Sequence, residues 1–260
     1  MELLSKEPWK LKFRRKETKS EPNMTTNILK DLLKIPEKYH VVQQFNQSVI
    51  FASQRTKEYI GFEDPESKLK VNNSMLTDIF LMTYINRSIQ CQLTESISCT
   101  KMTDEQTILL GTDWVWAVQD ASSKNPKVQI AVQAIHMENK EDQAMKMRFQ
   151  ATESLKLARQ ETINKTDPEK FSDFCSSIGK DCYGLFLFFG LKGDPKTICG
   201  ILSNDFHAHL GSGQEVDNTF LLDCIEKAKT FVTPGRMLEL ILQKGGVPDS
   251  LKPICVKFTQ

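Results

Sequence analysis

The chain has no apolar run approaching the ~20 residues of a membrane-crossing helix, and its charged start contains no signal-peptide core. It also has almost no net charge. Its 34 Lys and Arg stand against 33 Asp and Glu, for a net charge of +1. That balance argues against whole-chain binding to nucleic acid, though not against a local basic patch. There is no GxxxxGK[ST] phosphate loop, GxGxxG fingerprint, HExxH helix or GxSxG elbow. Residues 190–193 contain two glycines but no following Lys-Ser/Thr, and read as a plain turn. Histidines are few, at four. His207 and His209, two apart, would point in different directions on a helix, so a shared metal is not expected. The seven cysteines are odd in number and lack CxxC spacing, which reads as reduced thiols of a cytosolic protein, mostly small core residues. Cys182 sits beside an apolar run with no base placed to activate it. No catalytic residue, metal or cofactor is implied, and the reading turns toward a binding protein.

What is present suits a buried core. The 260 residues are 40% hydrophobic and 26% charged, ordinary for a globular chain of one large or two small domains. Residues 1–38 read as a basic, mobile tail. Lys6, Lys10, Lys12, Arg14, Arg15, Lys16 and Lys19 are interleaved there with Trp9, Leu11 and Phe13. Such a segment is either simply solvated or makes a weak contact with anionic lipid, at about 1 kcal/mol per basic residue. Met1-Glu2 lacks the glycine that myristoylation needs.

Residues 39–260 read as a single, mainly α domain, a compact helical body with a small β-sheet. A short amphipathic helix is expected at 27–35. Val42, Phe45, Val49 and Ala52 mark a second, stopped at Gly61. A third, capped by Asn73, carries Leu76, Ile79, Phe80 and Thr83. The central stretch, 100–119, opens with a capping box from Thr103 and Gln106 and is read as one helix to Gln119. Its core face would be Leu110, Trp114, Ala117 and Val118. The run after Asn125-Pro126 fits a helix through Val128, Ala131, Val132 and Ile135, or a strand through Val128, Ile130 and Val132. Residues 138–165, rich in charge and without an apolar stripe, form a charged insertion, either an exposed helix or a linker. Further helices are expected after Asp167-Pro168, after Asp194-Pro195, around Phe220–Ile225 and after Thr233-Pro234. The candidate strands are 185–189 and 254–258, each the other's best mate.

On that central helix Trp116 would point away from the core face. Leu109 and Trp116, rimmed by Glu105, Thr112, Asp113 and Asp120, form a candidate partner-binding patch, with Trp116 as its anchor. The alternative is that Trp116 is core in a helix covered on both sides. Tyr59 and Phe62, bracketing Gly61, are a second candidate pair, or else hydrophobic packing across a helix end.

Several strings in order carry a resemblance. They are Lys57-Glu58-Tyr59-Ile60-Gly61-Phe62-Glu63 with Ser67-Lys68-Leu69, Thr100-Lys101-Met102-Thr103, Asp113-Trp114-Val115-Trp116, Ile130-Ala131-Val132-Gln133, and 181–190 from Asp181-Cys182 to Phe189-Gly190. The chain resembles the Rab-15 effector family over roughly 48–260. Residues 138–165 match poorly, and the tail before about residue 40 departs from the pattern. The resemblance implies an effector, not an enzyme. It would bind GTP-loaded Rab GTPases, Rab-15 and relatives, and act in recycling of internalised receptors such as transferrin receptor from the endocytic recycling compartment. Its place would be cytoplasmic, peripheral on early or recycling endosomes. No family motif marks GTPase-contact residues, so none is carried over by position. The alternative is a nucleotide-insensitive scaffold at a membrane surface.

Overall fold

The computed structural model describes residues 37–120, 123, 125–136, 157, 160–191, 193–206, 208, 216–243 and 253–259. The expected helix at 27–35, most of the charged insertion, and His207 and His209 lie outside them. Contacts divide the chain into two units, Met1–Glu37 and Lys38–Gln260. The sheet and the helices packed on it belong to the second.

The elements run α1 (Glu37–Lys57), α2 (Asn73–Gln90), a 3-10 turn (Leu93–Glu95), β1 (Ile97–Lys101), α3 (Asp104–Leu110), β2 (Trp114–Gln119) and β3 (Pro126–His136). They continue with α4 (Asp167–Ile178), β4 (Cys182–Leu191), β5 (Asp194–Ser203), α5 (Asn218–Glu226), α6 (Pro234–Ile241) and β6 (Ile254–Lys257). All six strands join one sheet in sequence order, β1-β2-β3-β4-β5-β6. Every neighbouring pair is antiparallel except β3 and β4, which are parallel. A parallel pair requires a crossover, and the chain passes through α4 between those two strands.

Strand β4 shows why helices cover both faces. Tyr183, Leu185, Leu187 and Phe189 enter one core, with α1, α2 and α6. Cys182, Phe186 and Phe188 enter the other, with α4 and α5. A strand covered on both sides must be apolar throughout, hence the run Leu185-Phe186-Leu187-Phe188-Phe189. α3 rests on α4, where Lys170 Nζ donates to Ile108 O at 2.9 Å. The result is helix, sheet, helix.

The mainly α expectation is therefore overturned by the six-stranded sheet, and the protein is α/β. The largest correction is at 100–119. The capping box of Thr103 and Gln106 forms as expected, but the helix ends at Gly111, in the left-handed conformation at φ 65°. Beyond it, Trp114, Trp116 and Val118 are buried in one core while Val115 packs on the other. That is a period of 2, which a short apolar run displays as readily as a helical one. Residues 126–136 take the strand alternative. The stretch after Asp194-Pro195 is a strand, not a helix. A Cβ on its Gly200 would lie 2.7 Å from Phe186 O, so this position lets β5 press against β4. The expected strands 185–189 and 254–258 do form, within β4 and as β6. They are not mates, because β5 stands between them.

Candidate functional site

Trp116 is fully buried on β2. Its ring centroid lies 5.3 Å from Phe45, 5.3 Å from Tyr84, 5.6 Å from Trp114 and 6.2 Å from Phe80. It is core, but on a strand and not on the covered helix of the second reading. Leu109 is partly exposed on α3, and α3 packs with α4 on the sheet face opposite the Trp116 ring. The fold does not bring Leu109 and Trp116 together.

The carboxylates named with them serve the backbone. Asp113 Oδ2 accepts from Ala134 N at 2.7 Å, and Asp120 Oδ1 accepts from Ser123 N at 3.0 Å. Glu105 is half-buried in the first turn of α3, where a negative charge suits the helix dipole. Tyr59 is half-buried, its hydroxyl accepting from Arg55 Nη2 at 3.2 Å, while Phe62 is exposed. Gly61 between them has φ 74°.

Burial holds several of the thiols protonated, whereas a hydrogen bond from the Cys175 thiol shifts Cys182 down. All seven cysteines are free. Burial pushes the Cys99 and Cys199 thiols up to about 12 and Cys255 up to about 11, from an ordinary 9.0. Cys199 lines a shallow depression with Asp194, Phe231 and Lys257, yet a thiol held protonated at neutral pH is a poor nucleophile. The same shifts fix a pH dependence. Above pH 9 the unfolded chain releases protons that the folded chain keeps, so this contribution is intact below pH 9 and declines as pH rises toward 12. The urea midpoint is expected to fall between about pH 8 and about pH 10.5. An unchanged midpoint would contradict the burial of these groups.

The surface that stands out is one without a signal in the strings above. On α2, Leu76, Phe80, Leu81 and Tyr84 enter the core. Met75, Met82, Ile85 and Ile89 are exposed, at 42, 64, 39 and 60%. At about 100° per residue these four share an arc of about 80°, running about four turns along the side turned away from the core. Single exposed apolar residues are ordinary; four in line make a patch of the kind used for recognition. The helix itself is well anchored. Asn72 caps it by accepting from Met75 N at 2.9 Å, and Asn73 Nδ2 donates to Ala134 O at 2.9 Å. One flank faces α1, where the Arg87 guanidinium lies 5.7 Å from the Phe51 ring centroid. Asp78, inside the apolar arc, pairs with Lys101 of β1. A sign of it was legible in NSMLTDIFLMTYINRSIQ, which is apolar almost all round although a helix on a sheet buries only one side.

A family model described as Rab15 effector matches residues 31–258, a span that includes both sheet faces and the whole of α2. The chain belongs to the Rab15 effector family. Within it, a mouse Rab15 effector protein is 34% identical over 155 residues, 60% of this chain and 64% of the relative. The matched stretch thus spans a little under two thirds of that relative.

Proposed function

We propose that this member of the Rab15 effector family binds the GTP-loaded form of Rab15 and related Rabs through the exposed face of α2. In that role it regulates recycling of receptors, such as transferrin receptor, from the endocytic recycling compartment, working at the cytoplasmic surface of early and recycling endosomes. What carries the reading is the line Met75, Met82, Ile85 and Ile89 on a helix within the family-matched span.

The physical requirement is differential affinity. A GTPase reports its nucleotide by ordering two switch segments, and an effector must bind the ordered surface better than the relaxed one. Apolar anchors do this well, because they gain only when a complementary surface is assembled to exclude water. Two of the four are methionines, whose flexible, polarisable side chains adapt to related but unequal surfaces. Such a face suits several Rabs.

The test loads Rab15 with a non-hydrolysable GTP analogue or with GDP and measures affinity for the full chain. The GTP form is expected to bind at least about tenfold tighter, the factor equivalent to ~1.4 kcal/mol of coupling. Met82→Asp with Ile89→Asp is expected to weaken that binding by at least about tenfold. Stability should change little, because both side chains are already in water. Equal recovery of both nucleotide forms would replace this reading with a nucleotide-insensitive scaffold.

A further inference from the structure

The two edges of the sheet are treated differently. At the β6 edge, Val232 bridges Val256; its N–H donates to Cys255 O and its C=O accepts from Lys257 N, both at 2.9 Å. At the other end stands β1, last in the sheet order. In an antiparallel pair, facing residues alternate between exchanging both backbone hydrogen bonds and exchanging none. Gln119 N donates to Ser96 O and Met102 N donates to Asp113 O, each at 2.9 Å. With the register Ile97↔Val118 to Lys101↔Trp114, this turns Ser98 and Thr100 toward β2. Ile97, Cys99 and Lys101 therefore direct their N–H and C=O groups outward. Among the described residues, no strand pairs with them.

Helix α2 runs beside that open edge. Lys101, the last residue of β1, reaches Asp78 on α2. Asp78 lies within the same arc of the helix as Met82, Ile85 and Ile89. An unpaired row of backbone groups thus adjoins an apolar row of side chains. A row of free N–H and C=O groups spaced along a strand is complementary to one thing, another extended backbone.

We propose that β1 is extended by a strand of the GTPase, paired edge to edge, with alternate apolar side chains of that strand resting on Met82, Ile85 and Ile89. This rests on the Rab-binding reading and specifies how it is achieved. Backbone pairing supplies an affinity common to related partners, and the α2 side chains, touched by every second residue, supply the discrimination.

Lys101→Pro in the full chain removes one outward N–H while leaving the bonds to β2 in place. Binding to Rab15 carrying the GTP analogue is expected to weaken by about tenfold, the scale of one to two backbone hydrogen bonds. Lys101→Ala, which loses only an exposed ion pair, should stay within about twofold. Amide hydrogen exchange of the unmodified chain gives the second measurement: the outward amides of Ile97, Cys99 and Lys101 should exchange freely alone and become protected in the complex, while those of Ser98 and Thr100 are held by β2 in both states. If Lys101→Pro binds like the parent while Met82→Asp with Ile89→Asp does not, the strand pairing falls and the effector reading stands. Protection of the Ile97, Cys99 and Lys101 amides already in the free chain would show the edge covered from within, and would likewise sink it. If the parent chain binds neither nucleotide form, both readings fall together. Should Lys101→Pro fail to fold, the exchange measurement alone decides.

Discussion

Trp116→Ala is expected to lower the free energy of unfolding by about 3–5 kcal/mol, the range for truncating a buried Phe or Trp. The ring is wholly buried and in contact range of four other aromatic rings contributed by α1, α2 and β2. Removing it leaves a void where both helices meet the strand. The neighbours are themselves large and well packed, so the site collapses poorly and the cost lies at the upper end. Urea unfolding followed by near-UV circular dichroism measures it. A loss under about 1 kcal/mol would mean that the cluster is not a packed core. It also follows that loss of Rab binding in this variant would report unfolding and not contact, whereas substitutions on the outer face of α2 carry no such ambiguity.

The second large effect is at Gly111. Its φ of 65° lies in the left-handed region, where a Cβ costs about 1–2 kcal/mol. That Cβ would also collide with Asp167 O and come within 3.0 Å of Phe171 N, both backbone atoms of α4. Overpacking against backbone that cannot swing aside adds about 1–3 kcal/mol. Gly111→Ala is therefore expected to destabilise by about 2–5 kcal/mol. Gly61→Ala is the control, because its φ is 74° but a Cβ there meets nothing within 4 Å. It should show the conformational cost alone, about 1–2 kcal/mol. Equal losses in the two variants, read from thermal or urea melts, would contradict the close approach of α3 and α4.

These two positions also show what could be read from the sequence. The capping box at Thr103 and Gln106, the helix end at Gly179, the Thr233-Pro234 start and the strands within β4 and at β6 were all legible, because each is decided by neighbouring residues. The segment 114–119 was not. Trp-Val-Trp-Ala-Val presents an apolar face at either period, and what decides between them is the left-handed turn at Gly111. Gly111 is a helix stop written in the local sequence that the periodicity of the apolar residues overrode, and α4 lies too close to it for a side chain. The helix expected after Asp194-Pro195 is a strand, and its Gly200 makes a close approach to Phe186 on a different strand. The candidate site follows suit. Leu109 and Trp116 were joined by a helix that does not continue, while the composition of α2 held a second apolar line whose meaning depends on which side the sheet covers.

The parallel contact between β3 and β4 has a consequence for how the molecule acquires its shape. It joins residues such as Gln129 and Cys182, roughly fifty positions apart, whereas β4 and β5 are joined by a turn of a few residues. Loop-closure entropy rises by about 0.6 kcal/mol per doubling, so this seam costs about 2 kcal/mol more to close than a tight hairpin. The strands β1 to β3 and the β4–β5 hairpin can pair from nearer neighbours, whereas the β3–β4 seam and the β5–β6 seam, which joins Leu202 to Ile254, both carry the long-range closures that slow folding.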